Sequence, residues 1–161
     1  MPNWCEGILK IKGKQQDVFN LLVENLEVRK TIITKEPFEM REELDTESIE
    51  INKEDFEIWL NQTAYIKGTH RNFVETDYIN AQGNKDGNSC VAIEIRGAWN
   101  IESRPYVELA KKYNVDIKIE AFECGCQFSR FILIENGELI EDKDIEYDNY
   151  VWDCVMPNLG G

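Results

Sequence analysis

Five cysteines are the residues of this sequence with the most distinctive chemistry, and four of them could form one metal site. Cys124 and Cys126 are separated by a single glycine, at an expected bend between two strands. Residues two apart in an extended chain point to the same side, so both thiols could bind one ion. Structural zinc takes four tetrahedral ligands. The spacing therefore predicts a zinc site formed by Cys5, Cys124, Cys126 and Cys154.

Two other roles for these thiols remain open. A free cysteine is often a small buried apolar residue, and zinc sites more often separate paired cysteines by about two to four residues than by one. Redox chemistry is the third role that thiols take. Five is an odd number of cysteines, which fits poorly with a disulfide framework. We expect Cys90, beside the start of a predicted strand, to lie in the core.

His70 is the only histidine, so acid–base catalysis that uses this residue type would depend on it. The sequence contains no phosphate-binding glycine loop, nucleophile elbow or zinc-protease motif. A magnesium-dependent nuclease would need a basic surface for its substrate, which this sequence lacks. We therefore expect that the protein is not an enzyme. His70 is expected in a loop, although it could replace one cysteine at the zinc ion.

The acidic residues are concentrated in two segments. The 161 residues include 31 acids and 18 bases, a net charge of −13. Residues 35–60 contain 10 acids and 3 bases, and residues 135–154 contain 8 acids and 1 base, so the rest of the chain is almost neutral. This balance excludes general phosphate-neutralising contact with nucleic acid and binding to an anionic membrane. It favours a basic protein partner.

The second acidic segment places an acid at every second position from Asp142 to Asp148. In an extended chain these carboxylates would stand on one side, about 6.6 Å apart, a spacing comparable to that of phosphates along a strand. Such a row could block a basic nucleic-acid channel; the alternative is a solvated face that keeps the protein soluble. A calcium loop is not indicated, because residues 141–152 lack the central glycine and closing glutamate. We predict these partner-binding residues: Glu42, Glu43, Asp45, Glu47, Asp142, Asp144, Glu146, Asp148, Trp59 and Trp152.

The elements that must position these residues can be predicted from periodicity. Helical spacing covers residues 15–26, the stretch after Pro105 and, less regularly, residues 56–60. Alternation predicts strands near residues 7–12, 64–68, 91–95, 117–121 and 127–135, and Asn136–Gly137 predicts a type I′ hairpin. The order predicts a single α+β domain over residues 1–161, with a ferredoxin-like β-α-β-β-α-β core and a mainly antiparallel sheet. An acidic insertion at about 35–62 and an acidic C-terminal segment with an added hairpin complete it.

Three short motifs carry a family resemblance. They are the opening Pro2-Asn3-Trp4-Cys5, Gly97-Ala98-Trp99 before a proline-containing helix, and the hairpin sequence from Ile134 to Glu138. With these motifs the sequence resembles the YubB/Api-like family of phage and plasmid proteins. The resemblance implies a ferredoxin-like fold and a mobile-element origin, and it implies no enzymatic activity. Residues 35–62 depart from the family pattern.

The expected function is that of an acidic phage or mobile-element interaction protein. It would bind and inhibit a basic host protein that handles nucleic acid, such as a nuclease or CRISPR effector, as an anti-restriction or anti-CRISPR inhibitor. The alternative is a small-molecule or zinc-binding regulatory domain. No apolar run approaches the roughly 18 residues of a membrane span, and the N-terminus lacks signal-peptide features. We therefore expect the protein to be located in the cytosol of the bacterial host.

Overall fold

A computed structural model describes residues 3–35, 38–69 and 71–161. Of these residues, 51% lie in strands and 17% in helices. The helices are α1 (Gln15–Asn25), α2 (Ser103–Tyr113) and α3 (Tyr150–Asp153). The strands are β1 (Trp4–Lys14), β2 (Leu26–Glu27), β3 (Arg29–Lys35), β4 (Phe38–Leu44), β5 (Ile49–Asn52), β6 (Glu57–Leu60), β7 (Ala64–Ile66), β8 (Asn72–Val74), β9 (Tyr78–Asn80), β10 (Asn88–Ala98), β11 (Asp116–Glu123), β12 (Phe128–Glu135) and β13 (Glu138–Glu146).

The predicted ferredoxin-like α+β fold is wrong. The described residues form mostly antiparallel β-structure, with one eight-stranded sheet and only three helices. The segment between α1 and β10 accounts for much of the difference, because it folds into eight short strands. Helical spacing near Phe56 was misleading there: Ile58 and Leu60 are buried while Trp59 is exposed, which is the alternation of a strand.

The large sheet has the strand order β13-β12-β11-β1-β10-β8-β7-β2. On one of its faces, α1 and α2 cover a core that includes Leu9, Ile93 and Ile117. We call the opposite face of the sheet, which carries Trp4, Glu6 and Ile8, the outer face. Two smaller sheets lie outside the large one: β3 pairs with β4, and β5-β6-β9 forms a three-stranded sheet.

The two long helices agree with their predicted positions. The core-facing side of α1 carries Val18, Phe19 and Leu22, all buried. Pro105 lies in the first turn of α2, where its missing N–H costs no hydrogen bond. Cys90, which was expected in the core, is exposed, and so is Trp99.

Two glycines have clear structural reasons. A Cβ at Gly7 would lie 2.0 Å from the backbone oxygen of Glu120, so only glycine allows β1 and β11 to approach this closely. Asn136 and Gly137 have φ values of 53° and 74°, the positive pair that a type I′ turn needs. The predicted hairpin between β12 and β13 is therefore confirmed.

Candidate protein-interaction site

Two acids of strand β13, Asp142 and Asp144, are paired with a buried arginine. Arg130 on β12 lies opposite Asp144 and its side chain is only 8% exposed. The guanidinium forms ion pairs with Asp142 and, at 3.4 Å, with Asp144. Its Nε donates to the backbone oxygen of Ile101 at 2.9 Å. A buried charge is tolerated only when it is paired and hydrogen-bonded, so these carboxylates serve the interior.

Neighbouring groups before and at the start of α2 complete this arrangement. The Ser103 hydroxyl donates to Asp142, and the side-chain amide of Asn100 donates to Asp144 at 3.5 Å. The contacts tie the edge strand β13 to the start of α2. Asp142 and Asp144 therefore do not belong to a freely solvated anionic row.

The outer acids, Glu146 at the end of β13 and Asp148 just after it, are different, because exposed apolar side chains follow them closely in the chain. No ion pair involves Glu146 or Asp148 within the described ranges. The short helix α3 follows, and Trp152 on it is 84% exposed. We call this surface the C-terminal patch; it comprises Val151, Trp152 and Val155 with the carboxylates of Glu146, Asp148 and Asp153.

The patch is held in place by aromatic packing beneath it. Tyr150 is buried, and its ring meets that of Tyr147 edge-to-face at 5.5 Å. The Tyr147 hydroxyl lies 2.8 Å from Ser129 on β12. Asn149 caps α3 by accepting a hydrogen bond from the Trp152 N–H at 3.3 Å. An anchored helix thus presents an unpacked tryptophan.

The first acidic segment does not form one patch. Glu42 pairs with Arg29 at 3.4 Å, and Glu43 pairs with Arg41 at 2.9 Å. Asp45 accepts hydrogen bonds from the Glu47 N–H at 3.1 Å and from a serine hydroxyl, which fixes the turn before β5. Of the four acids predicted here, only Glu47 is exposed without a side-chain partner among the described residues.

The β3–β4 hairpin has an exposed apolar face. The strand register places Ile33 opposite Met40, with Phe38 and Leu44 on the same face. All four side chains are more than half exposed.

Trp59 lies in a second acidic and aromatic surface, on the three-stranded sheet. The register aligns Glu50, Trp59 and Tyr78 across β5, β6 and β9. Trp59 and Tyr78 are 37% and 42% exposed, and their rings are 5.2 Å apart. The Tyr78 hydroxyl donates to Glu57 at 2.6 Å, and this hydrogen bond raises the pKa of Tyr78. Aromatic rings beside carboxylates are complementary to a lysine or arginine side chain.

The structure does not bring the four predicted zinc ligands into a recognisable site. No group of three or more His, Cys, Asp or Glu side chains able to hold a metal occurs among the described residues. Cys5 faces the interior, and burial raises its pKa to about 12, whereas Cys126 is exposed. The Cys124 thiol donates to the backbone oxygen of Gly160 at 2.8 Å, and Cys154 is buried 3.8 Å from Ser129. The zinc site stays a prediction that elemental analysis can check.

Two further sequence predictions concern His70 and membrane-spanning segments. His70 lies outside the described residues. None of the helices in the described ranges has the length and apolar character required to cross a membrane.

Comparison with known proteins adds no identification. No family model, curated protein or solved structure matches the chain significantly. The resemblance to the YubB/Api-like family therefore stays a prediction from three short motifs.

Sequence reasoning missed Arg130 and Tyr78. A signal for Arg130 was present, because it occupies an inward position in the apolar alternation of residues 128–135. A charge at such a position needs a buried partner, and the acids of the next strand were the available ones.

Proposed function

We propose that this chain is an acidic interaction protein that binds a basic, nucleic-acid-handling host protein and prevents that protein from binding nucleic acid. The observation that carries this proposal is the C-terminal patch. Trp152 is 84% exposed and is flanked in the chain by the carboxylates of Glu146, Asp148 and Asp153, which have no ion pair in the described structure. An anti-restriction or anti-CRISPR inhibitor is the concrete form.

The patch has the chemistry of a protein interface. Tryptophan is enriched among residues that dominate binding energy, where its ring fills a pocket on the partner. Surrounding carboxylates speed the approach of a positively charged surface and disfavour acidic partners. The surface around Trp59 and Tyr78 repeats this combination and supplies a second contact region.

Inhibition follows from competition for one basic surface. A groove that binds phosphates presents clustered Lys and Arg side chains. Glu146, Asp148 and Asp153 offer anions to the same side chains, while Trp152 adds apolar contact that a phosphate backbone lacks. A protein bound in this way would exclude nucleic acid from the groove.

The test uses a photo-cross-linking amino acid at position 152, with position 85 as the matched exposed control. We expect capture of one basic host protein from position 152 alone, weakened when NaCl is raised from about 0.1 M to about 0.5 M. The captured protein is then purified and mixed with labelled nucleic acid. Addition of the wild-type chain should release the nucleic acid, and Trp152→Ala should release much less. A captured protein that keeps its nucleic acid at saturating chain concentration would contradict the proposal.

A further inference from the structure

The outer face of the large sheet carries a cluster of aromatic rings and arginines. These cationic side chains contrast with the two acidic segments. Its rings are Trp4, Tyr65 and Phe73, on β1, β7 and β8. Phe73 lies 4.5 Å from Tyr65 and 5.6 Å from Trp4 between ring centroids. The strand register places Phe73 opposite both Tyr65 and Arg96, so the sheet itself fixes these neighbours.

Three guanidinium groups lie against these rings. Arg96 is 4.7 Å from the Trp4 centroid and 5.6 Å from that of Phe73. Arg71 lies 5.7 Å from Trp4, and Arg29 lies 5.3 Å from Tyr65. Contact with a ring face holds a guanidinium in place without using its N–H donors. We call these six residues the arginine–aromatic cluster.

Most of the cations in this region have a carboxylate partner, but one does not. Arg96 pairs with Glu75 at 3.0 Å. Glu27 serves both Arg29, at 3.2 Å, and Lys67, at 3.4 Å. In the described ranges Arg71 has the contact with Trp4 and no ion pair. The other five arginines all have an ion pair in the described structure, so Arg71 is the arginine whose charge is open to an external anion.

A groove adjoins the cluster beside Arg71. Its volume is about 500 Å³, which is within the range of small-molecule sites. The walls include three cations (Arg29, Lys67 and Arg71), the rings of Tyr65 and Phe73, and one carboxylate, Glu42. At the turn between β7 and β8, Gly68 has a φ of 81° and open space where a Cβ would stand.

We propose that this groove binds a nucleoside phosphate. The flat base would lie against Tyr65 and Phe73, and the phosphate would be bound by Arg71 and Lys67. Aromatic rings stack with any nucleobase, and arginine binds phosphate through paired N–H groups. The surrounding acidity disfavours a long polyanion, so a ligand of one nucleotide fits better. This site is separate from the C-terminal patch and does not depend on the proposed inhibition.

The test is calorimetric titration of the full chain with the four nucleoside 5′-monophosphates, with adenosine and inorganic phosphate as half-ligands. We expect at least one nucleotide to bind in the micromolar to millimolar range, and at least about tenfold more tightly than either half-ligand. Arg71→Gln and Lys67→Gln should each weaken binding by about tenfold. Arg41→Gln, which removes an exposed arginine of the β3–β4 hairpin, is the matched control and should leave binding unchanged.

A short oligothymidylate distinguishes the source of the nucleotide. Binding of the oligomer at the same Arg71-dependent site would show that the groove takes a nucleotide within a strand, and preference for the monomer would show a free nucleotide. The proposal is overturned if no nucleotide or oligomer binds at about 5 mM. It is equally overturned if Arg71→Gln binds as the wild type does, or if adenosine or phosphate alone binds as tightly as the nucleotide. Circular dichroism of each variant confirms that it is folded.

Discussion

The acidic stretch from Asp142 to Asp148 has an inner pair, Asp142 and Asp144, and an outer pair, Glu146 and Asp148, with opposite roles. At the inner end, Asp142 and Asp144 compensate the buried Arg130. At the outer end, Glu146 and Asp148 are exposed and lead to the exposed Trp152. The difference shows that a row of carboxylates in sequence is not a row of available charges. Carboxylates without an internal cation attract a basic partner more strongly than paired ones, whose charge is already compensated.

The largest expected effect comes from removing the cation of the inner end. Arg130→Ala removes the cation that compensates two carboxylates and leaves a space where the buried side chain was. We therefore expect a loss of about 3–5 kcal/mol in the free energy of unfolding. Urea denaturation measures this loss. Arg41→Ala removes an arginine from an exposed pair with Glu43 and should cost under about 1 kcal/mol. Equal losses in the two variants would mean that Arg130 is not the internal anchor of β13.

The complementary change neutralises the acids at each end in turn. Asp142→Asn with Asp144→Asn leaves Arg130 buried without a counter-charge, and we expect a loss of about 2–4 kcal/mol. Glu146→Gln with Asp148→Asn changes solvated groups and should stay within about 0.5 kcal/mol of the wild type. Thermal and urea unfolding of both double variants makes the comparison. If the outer pair proved as destabilising as the inner pair, the contrast between the two ends would fail.

Part of this structure could be predicted from local sequence. The type I′ hairpin at Asn136–Gly137, the alternation of β10 and the apolar spacing of α1 are signals within a few residues. The fold class was missed because strands such as β2, β8 and β9 have only two or three residues and form through pairing with segments elsewhere in the chain. The arginine–aromatic cluster was missed for the same reason, since Trp4, Tyr65 and Phe73 meet only through sheet order.

The site could be predicted only in part. Trp59 and Trp152 were chosen from composition and are exposed in acidic surroundings. Whether a given acid was available depended on a partner elsewhere in the chain, as Arg130 shows for Asp142. Counting charges in the sequence does not detect such pairing, because the pairing depends on which strands become neighbours in the sheet.

Cys5 offers a pH-dependent test of the buried region near the inner end. Burial raises the Cys5 pKa from 9.0 to about 12, while the positive charge of Arg130 acts in the opposite direction. The native state thus keeps its proton where the unfolded state has lost it, so stability is full below pH 9 and falls as the pH rises toward 12. We expect Cys5 to contribute a slope of about 1.4 kcal/mol per pH unit in that window.

The measurement is urea unfolding at several alkaline pH values for the wild type and Cys5→Ala. The variant should lose stability less steeply, because it has no thiol to ionise. Cys90→Ala removes an exposed thiol and should keep the wild-type slope. Identical slopes for the wild type and Cys5→Ala would show that burial does not keep the Cys5 thiol protonated at alkaline pH.

The smallest expected effect on stability is at the outer end, where Trp152→Ala should change the free energy of unfolding by less than about 0.5 kcal/mol. The ring is 84% exposed, so its removal leaves no cavity. Partner binding should nevertheless fall by at least about tenfold, because an exposed tryptophan in an acidic rim contributes mainly across an interface. Tyr150→Phe, which changes the buried ring beneath the helix only by its hydroxyl, is the matched control and should bind normally. Normal binding by Trp152→Ala would indicate that the interface lies on the surface of Trp59 and Tyr78 instead. A large loss of stability would mean that the Trp152 ring packs against the rest of the protein in solution.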